Sequence, residues 1–196
     1  MKGIALVCVI VLMVLVPRAV AAVELSAQQQ RRLEHGEVVL VDRLPPGGTP
    51  RGGQGGTAIA LTQASPRAVW QVLVDYPRHS GLYPRVVDAA VLESDGTRAL
   101  VRYVIEVGPF SFGFHVNNYA DEVRGRLVWE LARSRENDLF RESWGYWQVD
   151  SSPRGTVVTY SMAARTVLPG FLTRGAEREG LVATLEAVRT RAEQAP

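Results

Sequence analysis

The feature that most constrains this chain is a change in hydrophobic period. From Val86 to Val167 apolar residues alternate with polar ones. Successive side chains on a strand point to opposite faces, so a period of two demands strands. Turn-forming residues interrupt the stretch at steady intervals: Ser94-Asp95-Gly96, Gly108-Pro109, Arg124-Gly125, Asn137-Asp138 and Ser152-Pro153-Arg154-Gly155. Turns this short join antiparallel neighbours, which predicts about six strands in antiparallel succession. A curved sheet of that kind leaves one apolar face to be covered. The cover is supplied at the C-terminal end. Pro169 and Gly170 break the last strand, and Phe171–Ala192 predicts a long helix with Leu181, Leu185 and Val188 on one face. The expected fold class is a single α+β domain.

Ahead of the meander the chain is mixed. Ser26–Gly36 is polar and helix-compatible, and Glu37–Arg43 reads as a strand with Val39 and Val41 on one face. Residues 45–56, PPGGTPRGGQGG, are rich in Gly and Pro and are expected to form a flexible loop. They contain Gly53-x-Gly55-x-x-Ala58, but these glycines precede a strand, Thr57–Gln63. A dinucleotide fingerprint needs the strand before and a helix after, so it is rejected. Ser65 can cap a helix beginning at Pro66, with Val69, Trp70, Val72, Leu73 and Tyr76 at helical spacing and Pro77 as its stop. A short helix or turn over Arg78–Tyr83 follows. Asp75 and Tyr76 are expected to end the helix and start a lid, because no second carboxylate or His lies at the local spacing an acid–base pair needs.

The first 22 residues are of another kind. Lys2, the apolar run Gly3–Val16, Pro17-Arg18 and Ala19–Ala22 form a charged start, about 14 apolar residues and a small-residue site, the parts of a signal peptide. Cleavage near Ala21–Ala22 and a periplasmic or secreted location are expected. Removing Lys2 and Arg18 leaves 20 Arg against 20 acidic residues, so the surplus of positive charge belongs to the leader. A nucleic-acid surface is not expected. Cys8 is the only cysteine and leaves with the leader, so burial without disulfides must hold the domain together.

Common catalytic signatures are missing. His35, His79 and His115 have no metal-ligand spacing, and there is no G-x-S-x-G elbow or phosphate-binding G-x-x-x-x-G-K-[ST] loop. Neither a metal nor a cofactor is expected.

The segment SPRAVWQVLVDY (65–76) through Pro84, the strand VLESDGTRALVRY (91–103), and GYWQVD (145–150) followed by GTVVTY (155–160) resemble the START-like SRPBCC superfamily. Within it they are most similar to the coenzyme Q-binding and polyketide cyclase/dehydrase branch, over roughly residues 57–192. The resemblance implies a helix-grip fold: a curved antiparallel sheet wrapped around the C-terminal helix, with a hydrophobic cavity between them for a lipid, sterol, quinone or polyketide. It divides the chain into a leader (1–22), an N-terminal extension with the Gly/Pro-rich loop (23–56) and the ligand-binding domain (57–192).

Strand alternation selects the wall of that cavity. Tyr103, Ile105 and Val107 share a face, as do Phe112, Phe114 and Val116; Leu127, Trp129 and Leu131; Trp147 and Val149; and Val158, Tyr160 and Met162. Arg141 falls on the face of Gly145 and Trp147, where a buried charge needs a carboxylate or a ligand head group. Glu106 and Glu142 are expected to face outward, and register decides which of Asn117 and Asn118 faces inward. The expected ligand-binding set is Tyr103, Phe112, Phe114, Trp129, Arg141, Trp147, Tyr160 and Met162. Gly175 and Gly180 on the helix lack the side chains to fill the space. Arg78–Tyr83 and the segment after Val167 are expected to gate it.

The expected function is an exported carrier of a hydrophobic small molecule, a lipid, sterol or hopanoid, or isoprenoid quinone, with transient membrane contact for its exchange. The alternative is a cyclase/dehydrase-like enzyme in which Arg141 and Tyr160 polarise a carbonyl. A third reading, an interaction module for another envelope protein, has no direct sequence support.

Overall fold

The computed structural model describes residues 23–47, 53–167 and 176–195. The expected leader and residues 48–52 of the Gly/Pro-rich loop lie outside them, as do Pro169, Gly170 and Gly175.

Eight strands form one antiparallel sheet: β1 (Val39–Val41), β2 (Gln54–Thr62), β3 (Val86–Ser94), β4 (Arg98–Val107), β5 (Phe110–Asp121), β6 (Arg126–Leu131), β7 (Phe140–Ser152) and β8 (Gly155–Thr166). Their order across the sheet is β1-β2-β8-β7-β6-β5-β4-β3. The six strands from β3 onward are the expected meander, each hairpin-paired to the next. The helices are α1 (Ala27–Glu34), α2 (Pro66–Val74), a 3-10 helix (Tyr76–His79) and α3 (Ala176–Glu193).

Local chemistry fixes the helix starts. At α1 the Ser26 hydroxyl accepts from Gln29 N–H while the Gln29 side chain accepts from Ser26 N–H, a reciprocal cap. At α2 the Ser65 hydroxyl accepts from Ala68 N–H and Pro66 opens the first turn. The helix ends at Val74, three residues before Pro77. Tyr76 is placed in the 3-10 helix and is buried, so it serves the core rather than a surface lid.

β2 begins three residues earlier than the sequence suggests. Gln54, Gly55 and Gly56 pair with Ala164, Ala163 and Met162 of β8. A Cβ on Gly55 would lie 2.2 Å from the Met162 carbonyl oxygen, so the strands approach so closely that glycine is required there. These glycines are part of the sheet, and composition alone could not separate them from the loop.

The inner face of the sheet packs against α2 and α3 through Val69, Trp70 and Leu73 on one and Leu181, Leu185 and Val188 on the other. On the outer face α1 sets Leu33 against Val39 and Ile59. Both sides of β2 are therefore covered, and its residues Thr57–Ala60 are buried regardless of parity. α3 lies over β2 and touches α2 and β8, so it covers one side of the concave face. The part formed by β4 to β6 has no α-helix packed closely upon it, whereas β7 meets α2 and the 3-10 helix reaches Tyr103 of β4 through His79.

Candidate functional site

That uncovered concavity is a cavity of about 550 Å³ between the sheet and α3. Among its described lining residues Pro84, Arg85, Glu179 and Ala183 are exposed, which places the opening between the loop after the 3-10 helix and the first two turns of α3. Two larger hollows, of about 810 and 1630 Å³, involve the outer face, the first beside Pro45–Gly47 and the second beside α1. Volume does not choose between them. The inner cavity is distinguished by its described lining, which has seven aromatic side chains and two charged ones against two aromatic and six charged in the hollow beside α1, the character of a small-ligand site.

Six of the eight expected ligand-binding residues meet there: Tyr103, Phe114, Trp129, Trp147, Tyr160 and Met162. The register explains their convergence. Tyr103 pairs with Phe114, Trp147 with Tyr160, and Gly145 with both Trp129 and Met162. Trp147 stacks on Tyr160 with ring centroids 4.1 Å apart and on Tyr83 at 6.3 Å. Tyr103 stacks on Phe114 at 5.6 Å, and Phe114 meets Phe140 edge-on at 4.9 Å. A Cβ on Gly145 would come within 2.7 Å of the Trp129 ring and 2.3 Å of the Ser161 carbonyl oxygen. Gly145 thus makes room for Trp129 to lie on the wall.

The other two stand elsewhere. Phe112 turns toward Phe110, centroids 6.5 Å apart, and is not among the lining residues. Arg141 does not face inward as expected. The pairing of β7 with β8 runs from Phe140–Thr166 to Glu142–Arg165, so Arg141 is the extra residue of a β-bulge and is exposed. The bulge shifts the alternation by one. Phe140 and Ser143 consequently both line the cavity, and Glu142 faces away, paired with Arg165 at 3.4 Å. Of the two asparagines, buried Asn118 is the inward one.

Sequence reasoning missed His79 and Tyr83. His79 is only 2% exposed and its ring lines the cavity. Its Nε2 lies 3.1 Å from the Val72 carbonyl oxygen, in the last turn of α2 where no intrahelical donor remains, and its Nδ1 lies 2.9 Å from the Tyr103 hydroxyl. The Tyr83 hydroxyl is 3.5 Å from Nε2. Burial lowers the His79 pKa to about 4, so the ring is neutral at ordinary pH. Burial likewise raises the Tyr76 pKa to about 12 and pushes those of Tyr83, Tyr103 and Tyr160 up further. The four hydroxyls are close enough that Tyr76 and Tyr160 each add to the rise at Tyr103 and Tyr83. The site offers neutral hydrogen-bonding groups inside an apolar wall. Arg85, at the opening, is the one described non-glycine residue with positive φ, 67°.

Residues 62–189 match the family described as polyketide cyclase / dehydrase and lipid transport. The chain belongs to that family. No curated protein matches it. Among solved structures, the Zhui aromatase/cyclase from a Streptomyces species is 16% identical at a TM-score of 0.63, covering 72% of this chain and 94% of that one. A STAR-related lipid transfer protein from Xanthomonas axonopodis is 17% identical at a TM-score of 0.63, covering 80% and 99%. A START superfamily protein from Mycobacterium smegmatis is 16% identical at a TM-score of 0.58, covering 72% and 97%. At these identities the likeness is one of fold, and the helix-grip architecture expected from sequence is the observed one.

Proposed function

We propose that this family member is an exported carrier that binds one hydrophobic small molecule, a lipid, a sterol or hopanoid, or an isoprenoid quinone, and shields it from water. The observation that carries the reading is the 550 Å³ cavity, apolar and aromatic in its wall and neutral in its buried polar groups. Burial drives affinity there, at about 25 cal/mol per Å² of apolar surface before ordering costs. Export is supported by the leader-like composition of residues 1–22. Exchange with a membrane would proceed through the opening at Pro84, Arg85 and Glu179.

A catalytic reading of the same cavity relied on Arg141 and Tyr160 to polarise a carbonyl. Arg141 is exposed and outside the lining, which leaves Tyr160 without its cationic partner. The deciding experiment is native mass spectrometry with organic extraction of protein purified from its own envelope fraction without detergent. A single lipid or quinone at near-stoichiometric amount is expected. Repeatedly empty protein that still binds a hydrophobic probe favours an enzyme that releases its product.

A further inference from the structure

We propose that the cavity selects an uncharged apolar molecule bearing a free hydroxyl, with Tyr103 accepting that hydroxyl's hydrogen bond and His79 holding Tyr103 in the accepting role. The inference deepens the carrier reading and rests on it.

The argument counts protons. The Val72 carbonyl can only accept, so His79 Nε2, 3.1 Å away, must carry a hydrogen. Burial of the ring excludes the doubly protonated form near neutral pH, so Nδ1 has a lone pair and no hydrogen. The Tyr103 hydroxyl, 2.9 Å from Nδ1, must donate to it. A tyrosine has one such proton, and toward the cavity the Tyr103 oxygen can only accept. Tyr160 differs. Its hydroxyl has no hydrogen-bond partner among the described residues, and its ring lines the same cavity, so it can donate or accept.

One kind of ligand group satisfies both tyrosines. An alcohol or phenol donates to Tyr103 and accepts from Tyr160. A ketone, quinone or ether can only accept, so it offers the Tyr103 oxygen no donor. The charged residues of the described lining, Arg85 and Glu179, are both exposed, so the enclosed polar atoms suit a neutral group.

The test is displacement of the neutral fluorophore N-phenylnaphthylamine from the full-length protein by two matched series. One is cholestanol, cholestanone and cholestanol methyl ether; the other is hexadecanol, hexadecanone and hexadecyl methyl ether. In whichever series binds, the alcohol should compete about tenfold better than its ketone and ether. The binding series tells whether the hydroxyl rides on a fused-ring or a linear skeleton. Tyr103→Phe should erase the preference. His79→Leu releases the Tyr103 proton and should move the preference toward the ketone, whereas a purely structural loss would weaken all three members alike. Nitrogen NMR of unliganded protein should show His79 neutral with its hydrogen on Nε2, and a hydrogen on Nδ1 would overturn the assignment even if the variants do not fold. Equal competition by alcohol, ketone and ether, or a bound fluorophore that none of them displaces, sinks the hydroxyl inference and leaves the carrier reading intact. Failure of the fluorophore and all competitors to bind removes the carrier reading itself.

Discussion

His79 joins helix, wall and hydroxyl network, and its protonation makes the fold sensitive to acid. The unfolded chain binds a proton on this residue near the ordinary His pKa of about 6.5, whereas the folded chain resists until its pKa of about 4. A depressed pKa contributes stability that is full above the unfolded value and is lost as pH falls through the folded one. Between about pH 7 and about pH 4.5 the loss should be roughly 2–3 kcal/mol. Asp75 opposes the shift weakly by favouring the charged ring, and the tyrosines around it, Tyr76, Tyr83 and Tyr103, stay neutral throughout this range. Urea titrations at the two pH values should show this slope in the natural protein, while His79→Gln, less stable at neutral pH, should lose correspondingly less on acidification. Parallel pH dependence in both proteins would contradict the assignment.

At the scale of elements, α3 shapes the cavity by what it lacks. Gly180 lines the cavity, and a Cβ built there meets nothing within 4 Å. Replacing a helix-interior glycine with alanine gains about 0.5–1 kcal/mol in helix propensity, so Gly180→Ala should raise the melting temperature and leave uptake of a hydrophobic probe nearly unchanged. Gly180→Phe should keep the fold and block uptake. A Gly180→Phe protein that binds as before would place the ligand outside this cavity. β7 shows the reverse case, where one extra residue redirects a charge. The bulge at Arg141 keeps its guanidinium in water and lets both Phe140 and Ser143 face inward, which avoids the several kcal/mol cost of burying an unpaired cation.

For the molecule as a whole, the position of α3 over β2 turns a sheet that could have had a solid core into a container. Its 550 Å³ sets a ceiling on its contents. In a homologous series of linear alcohols affinity should rise by about 0.8 kcal/mol for each added methylene while chain is being buried, then level off once the space is filled. Competition binding would locate the break, and an affinity that keeps rising with length would mean the tail lies on the surface. The family assignment, the sheet and six members of the wall were legible in the sequence because alternation and turn residues act locally, within a few positions. Arg141 and the start of β2 were not, since a bulge and a close glycine contact depend on the neighbouring strand.

By itself the sequence determined the six-strand meander, the capped start of α2, the apolar face of α3 and the parity that aims Tyr103, Phe114, Trp129, Trp147, Tyr160 and Met162 to one side. Each follows from the spacing of residues along one stretch of chain. Only the tertiary structure decided that His79 is a cavity residue. Its partners are the carbonyl of Val72 and the hydroxyl of Tyr103, one seven residues away and the other 24. A histidine after a proline in a polar turn carries no local mark of burial; that comes from the strand folded against it and the water it excludes.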